Sequence, residues 1–249
     1  MSKHVYIITG ASSGLGAEIS RQLLLEENYV FCLSRTENDD IIRQASGYRY
    51  KFYSIDLTHL ENLNLILQEI IATVDPSKID SITLINNAAS VSPIKDIQYC
   101  TQEEIMANIQ LNLTTPIMLT SSFISLTSEW EVKRRIINIS SGSAQYPAQS
   151  MSLYCSAKSA LNMFSRCVGL EQDGEPNAVE VFAVDPGMMD TELQKIARDS
   201  VFQLSEFFSK QKLEGNLADP AHVACKILTL INSPVIKNGN IHHVTPCSH

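Results

Sequence analysis

Three polar side chains at fixed intervals could move a proton. Ser141, Tyr154 and Lys158 stand in "SSGSAQYPAQSMSLYCSAK", thirteen residues from serine to tyrosine and four from tyrosine to lysine. Residues four apart on a helix share a face, so Lys158 can lie beneath Tyr154. A free phenol has a pKa of about 10 and is a poor acid–base group at neutral pH. An ammonium within ~4–6 Å favours the phenolate and lowers that value. Ser141, at a strand end, would donate a hydrogen bond to the oxygen that exchanges the proton and steady its developing charge. General acid help of this kind is worth roughly 10²–10⁴ in rate. The competing reading is polarity without chemistry, since such tyrosine–lysine pairs and turn serines are common. The surrounding elements decide between the two.

Those elements alternate. Short β-branched and aromatic runs at 4–10, 29–35, 48–57, 81–89, 134–140, 178–187 and 239–245 read as seven strands. Helical spacing fills the gaps at 15–28, 60–74, 101–130, 152–174 and 220–233. In the first helix Ile19, Leu23 and Leu24 share a face; in the second Leu63, Ile66, Leu67 and Ile70 do. The third is long and carries Pro116, which is expected to bend it. Strand–helix alternation marks βαβ units, so the expected fold is α/β: one Rossmann-type doubly wound domain over 1–249, with a seven-stranded parallel sheet and helices on both faces. The stretch 190–216 stands outside the alternation. It reads either as a substrate lid built on Leu193, Ile196, Val201, Phe202, Leu204, Phe207 and Phe208, or as helices packed on the sheet.

Composition narrows the partners. The 249 residues are 44% hydrophobic and 18% charged, an ordinary globular balance. Asp and Glu exceed Lys and Arg by 27 to 19, giving a net charge of −8 with no basic run, which argues against nucleic acid and anionic membrane. The early apolar run is too short for a signal segment, and no stretch approaches the ~18 apolar residues that span a bilayer. Six scattered cysteines (Cys32, Cys100, Cys155, Cys167, Cys225 and Cys247) form no CxxC pair and point to a reduced, cytoplasmic chain without a zinc site. His242, His243 and His249 do not read as metal ligands, because adjacent strand residues face opposite ways.

The segment "TGASSGLG" ends the first strand and opens the first helix, with Gly10, Gly14 and Gly16 around Ser12, Ser13 and Leu15. Such a turn lets backbone approach a pyrophosphate and aims a helix N-terminus at it. Glycines at strand-to-helix turns also arise for steric reasons alone. The second strand ends in Ser34, Arg35 and Thr36, with no acid there to hold a ribose 2′-hydroxyl. A guanidinium takes a 2′-phosphate in a forked pair, which selects NADPH over NADH; the plain alternative is a solvated loop charge.

"TGASSGLG", "NNAA", "IINISS", "YCSAK" and "DPGMMDT" in that order resemble the short-chain dehydrogenase/reductase family over nearly the whole chain. "LINNAASVSPI", "LNLTTPIMLTSSF" and "PGMMDTELQ" further resemble the (S)-benzoin-forming benzil reductases of its sepiapterin-reductase-like branch. "NNAA" stands where "NNAG" is commoner, and residues 144–153, which should line the substrate pocket, do not align residue by residue. The resemblance implies an NADPH-dependent carbonyl reductase acting on one carbonyl of an apolar or aromatic α-diketone, with hydride delivered from the pro-S face. It implies that Tyr154 protonates the oxygen, that the thirteen-residue interval selects Ser141 over Ser140, that Lys158 also binds the nicotinamide ribose, and that Asn112 supports proton resupply. It places Asp56 and Leu57 at the adenine, although Asp56 or Thr58 could instead cap the next helix. Asn86, Asn87 and Ala88 fall beside the ribose, with Asn86 also readable as a tie between strands. Pro186, Gly187, Met188 and Thr191 fall beside the nicotinamide carboxamide. Helices near 101–127 and 152–173 would form homodimer or homotetramer faces. A pterin-side-chain reductase, another short-chain alcohol dehydrogenase, or a non-catalytic NADPH sensor are the alternatives; a sensor would normally lack the tyrosine or the lysine.

Overall fold

A computed structural model describes residues 3–26, 28–45, 49–233 and 236–244. Seven strands, β1 (His4–Thr9), β2 (Tyr29–Ser34), β3 (Tyr50–Ser54), β4 (Ser81–Asn86), β5 (Lys133–Ile139), β6 (Val179–Asp185) and β7 (Ile241–His243), form one sheet in the order β3-β2-β1-β4-β5-β6-β7. Every pairing is parallel. The chain winds outward from β1 through β2 to β3, then returns to β4 on the other side of β1. That reversal opens a crevice at the C-terminal ends of β1 and β4, where open α/β sheets take ligands.

The helices are α1 (Gly14–Leu25), α2 (Asp39–Gln44), α3 (Leu63–Ala72), α4 (Gln102–Ile109), α5 (Thr115–Leu126), α6 (Ser152–Gln172), α7 (Glu192–Asp199), α8 (Ser205–Leu213) and α9 (Pro220–Ile231). Strand alternation sorts the core into two layers. Ile8, Ile85 and Phe182 point toward α1 and α9, with Leu23 and Ile227. Ile7, Leu84 and Val181 point the other way, with Leu67 of α3, Phe123 of α5 and Val168 of α6. In α1, Ile19, Leu23 and Leu24 are buried together as expected, whereas in α3 Leu63, Leu67 and Ile70 are buried and Ile66 only partly so.

One buried polar ladder crosses the second layer. Asn86 Nδ2 donates to Asn138 Oδ1 at 2.8 Å, and Asn138 Nδ2 donates to Ser165 Oγ on α6 at 2.8 Å. Asn86 thus ties β4 to β5.

Four local expectations need correction. The segment 101–130 is two helices joined by a π-helical turn at Gln110–Thr114. Pro116 has no N–H to give the carbonyl four residues back, that of Asn112, so the α ladder fails at Asn112 rather than at the proline. Neither Asp56 nor Thr58 caps the helix that follows: Asp56 closes a local turn, and the 3₁₀ turn before α3 begins after His59. The third strand is shorter than 48–57, and Tyr48 lies outside the described residues. Helix α2 was absent from the sequence reading, although "ENDD" announces it: Asn38 Oδ1 accepts from the N–H groups of Asp40 and Ile41. The stretch 190–216 holds the short helices α7 and α8.

Among the described residues no helix is long and apolar enough to cross a membrane. Five cysteines are free thiols, and Cys247 lies outside the described residues, as does His249. His242 and His243 face opposite ways: the first packs edge-on against Phe182, and the second has Nδ1 3.2 Å from Asp185 Oδ2.

Candidate active site

Ser141 follows β5, and Tyr154 and Lys158 lie one turn apart on α6, so the fold brings the three to the C-terminal edge of the sheet. Tyr154 is 5% exposed and Lys158 2%. The Lys158 Nζ lies 5.7 Å from the centre of the Tyr154 ring and donates to the Ile139 carbonyl at 2.8 Å. Ser141 caps a 3₁₀ turn, its Oγ accepting from the Ser143 N–H at 3.2 Å. Ser140 is 3% exposed, whereas Ser141 is only partly buried and hydrogen-bonds with the Tyr154 side chain.

The electrostatics differ from the expectation of a depressed phenol. Burial pushes Tyr154 up to about 12; a hydrogen bond with Ser141 works against this, and the Asp185 carboxylate adds to it. Burial also lowers Lys158 to about 8. The phenol sits in an apolar cluster with Val91 and Met151, against which Leu193, Phe202 and Phe208 pack. Loss of water there costs the phenolate more than the Ser141 hydrogen bond returns. The Tyr154 phenol is therefore protonated at neutral pH.

Asn112 is fully buried in the π-helical turn. Its Nδ2 donates to the carbonyls of Ser90 (2.8 Å) and Asn108 (3.0 Å), and its Oδ1 accepts from the Ser90 N–H (3.1 Å). Asn108, which the sequence reading overlooked, donates to the carbonyl of Ser92 at 2.8 Å from one helical turn earlier. Its spacing of four from Asn112 was the available signal. Together they pin the loop after β4 that carries Val91.

The glycine loop packs closely against its neighbours. Gly10 and Gly14 adopt φ of 68° and 53°. A Cβ on Gly16 would fall 2.3 Å from the Gly10 carbonyl oxygen, and one on Gly10 would fall 2.8 Å from Ala88 Cα. Asn87 Nδ2 holds the loop through the Thr9 and Gly10 carbonyls, while the N–H groups of Asn87 and Ala88 donate to Thr9 Oγ1. Ser13 precedes α1 without bonding its side chain to the helix's first N–H groups, whereas Leu15 is buried in the core. A cavity of about 560 Å³ opens against Ser12, Ser13 and Gly14. Neutral donors at a helix N-terminus beside such a space suit a pyrophosphate.

At the end of β2, Ser34 is buried and donates to the Thr36 carbonyl, while Arg35 is exposed and holds no ion pair among the described residues. Asp56 Oδ1 accepts from the Thr58 N–H at 2.9 Å and from its hydroxyl at 2.7 Å, which holds the carboxyl below its usual range. Leu57 is 5% exposed and belongs to the core. After β6, Pro186 is buried, Gly187 has φ 72°, and the Met188 carbonyl accepts from the Ala218 N–H. Thr191, ahead of α7, stands against Gly14: a Cβ there would lie 3.3 Å from Thr191 Cγ2.

Comparison with known proteins agrees with this arrangement. A family model described as "short chain dehydrogenase" matches residues 4–201. A benzil reductase ((S)-benzoin forming) of Bacillus cereus is 38% identical over 240 residues, covering 94% of this chain and 96% of that protein. A sepiapterin reductase of Xenopus laevis is 26% identical over 248 residues, covering 94% and 92%. The crystal structure of the KRED1-Pglu enzyme superposes with a TM-score of 0.81 at 24% identity, covering 97% of this chain and 100% of that one.

Proposed function

Since the chain belongs to the short-chain dehydrogenase family, and is an oxidoreductase of carbonyl and hydroxyl groups that uses a nicotinamide cofactor, we propose that it is an NADPH-dependent carbonyl reductase acting on one ketone of an apolar or aromatic α-diketone. The observation that carries this reading is the enclosure of a protonated Tyr154 by Val91, Met151, Phe202 and Phe208. An apolar substrate fits such walls, and the relative at 38% identity is a benzil reductase. The exposed Arg35 at the end of β2 supports a 2′-phosphate over a free 2′-hydroxyl.

A nicotinamide cofactor, when bound, would supply the hydride. Gly10, Ser12, Ser13, Gly14 and Gly16 would hold its pyrophosphate, and Lys158 its nicotinamide ribose. Tyr154 gives its phenolic proton to the substrate oxygen as negative charge gathers there. Ser141 donates a hydrogen bond to the same oxygen, which fixes the approach and adds stabilisation in a site that excludes water. The Lys158 ammonium, 5.7 Å from the ring centre, stabilises the phenolate left behind. Asn112 holds the loop that shapes the pocket wall. The segment 190–216 acts as a lid, because Leu193, Phe202 and Phe208 pack on the same cluster as Tyr154. The protein works as a homodimer or homotetramer in the cytoplasm.

The test is a panel of benzil, smaller diketones, simple ketones and sepiapterin with NADPH and NADH, read at the nicotinamide absorbance band. Benzil is expected to turn over with NADPH, with NADH far poorer. The Tyr154→Phe variant is expected to lose at least ~10²-fold in kcat while binding NADPH normally. Preference for sepiapterin, comparable kcat/KM with NADH, or retained turnover in Tyr154→Phe would each overturn the corresponding part.

A further inference from the structure

We propose that the hydrogen bond from Ser150 to Asp96 is a latch that determines substrate specificity, because it fixes the spacing of the two loop segments that enclose Tyr154. The inference rests on the reading that Tyr154 is the reacting group, but not on which carbonyl compound it serves.

The first segment follows β4 and runs to Asp96. It brings Val91 and Ile94 to the apolar cluster at Tyr154. Its near end is pinned, because Asn112 holds the Ser90 carbonyl and Asn108 that of Ser92. The second segment leads from Ser141 into α6 and brings Ala148 and Met151 to the same cluster. Ser150 Oγ donates to Asp96 Oδ1 at 2.7 Å. Among the described residues no other hydrogen bond joins the two segments.

Both residues stand where they could serve their own element. Asp96 precedes the 3₁₀ turn Ile97–Tyr99, yet its side chain makes no capping bond there. Ser150 lies just ahead of α6, whose N-cap is Met151, also without a side-chain bond. Aspartate and serine are favoured caps, so the pair forgoes local bonding for a bond across 54 residues. Hydroxyl-to-carboxylate bonds belong to the stronger class.

The backbone at Ser150 points the same way. Its φ is 61°, a left-handed conformation uncommon outside glycine. Such a residue persists where its surroundings hold it. Release from Asp96 would let Ser150 return to negative φ and redirect the chain at Met151, which is 3% exposed in the Tyr154 cluster. The latch thus sets how far Met151 stands from Val91 and Ile94. A diaryl diketone would touch both walls at once, whereas a small dialkyl diketone need not.

Steady-state kinetics of the full-length protein with NADPH, on benzil and on diacetyl, test this alongside calorimetric NADPH affinity. Ser150→Ala and Asp96→Ala are each expected to lower kcat/KM for benzil about tenfold, mainly through KM, and to leave diacetyl within about twofold. The double variant should do no worse than either single one. Asp96→Asn keeps an acceptor oxygen and should recover most of the benzil activity. Ser150→Gly tolerates the positive φ but has no hydroxyl, so it should lose benzil as Ser150→Ala does. Full benzil activity in Ser150→Gly would overturn the inference, since only the backbone conformation would then matter. Equal loss for both diketones, weakened NADPH binding, or unchanged selectivity in both alanine variants would overturn it too. If wild type reduces simple ketones but no diketone, the diketone reading alone falls, and the same variants must then separate aryl from dialkyl ketones. Turnover of no carbonyl compound by wild type would overturn the Tyr154 reading and this inference with it.

Discussion

Burial drives the Tyr154 phenol up to about 12 and the Lys158 ammonium down to about 8, so the lysine is the group that titrates within reach of ordinary buffers. The phenol remains protonated on either side of that point. Carbonyl reduction should therefore hold level below about pH 8 and fall as pH rises through it, because loss of the Lys158 charge removes support for the phenolate formed on proton transfer. A pH profile of kcat/KM with an apolar diketone checks this; a rate rising from pH 7 to pH 10 would contradict it. The stability effect runs the opposite way. The folded value of Lys158 lies below its free value of 10.5, so between about 8 and 10.5 the unfolded chain binds the extra proton. The penalty of burying this ammonium is thus fully present below pH 8 and fades as pH rises.

At the scale of elements, the loop from β1 to α1 is the tightest fit. Gly16→Ala would force a methyl to 2.3 Å from the Gly10 oxygen and 2.5 Å from Asn87 Nδ2. The expected result is a loss of about 1–3 kcal/mol in unfolding free energy together with much weakened NADPH binding, read by urea denaturation and calorimetry. Local pattern carried most of this architecture. The strand runs and the glycine spacing are one-dimensional signals, and so is the pairing of Tyr154 with Lys158 at four residues. What stayed hidden depends on partners distant in sequence. The Asn112 amide is taken up by the Ser90 backbone 22 residues away. The raised Tyr154 pKa arises from Val91, Phe202 and Phe208 closing around it, and no spacing along α6 reports that. The π-helical turn was half legible: Pro116 signalled an interruption, but its effect falls on the carbonyl four residues earlier.

For the molecule as a whole, the segment holding α7 and α8 links the glycine loop to the apolar cluster around Tyr154. Thr191 touches the glycine loop, whereas Phe202 and Phe208 stack with ring centroids 6.0 Å apart over the Tyr154 cluster. Saturating NADPH should slow proteolysis within 190–216 several-fold relative to cleavage elsewhere; identical digestion with and without NADPH would favour fixed packing. Precision of this order also requires that α6 meet the sheet at one rotation only. The Asn86–Asn138–Ser165 ladder supplies that constraint. Ser165 comes three turns after Tyr154 on the same helix, so both project from the same side. If β4 and β5 slid past one another by a single residue, an amide would be set among aliphatic side chains and α6 would lose its anchor. The ladder is in effect an alignment key at the centre of the sheet, and the error it excludes is a well-packed protein whose tyrosine faces the wrong way.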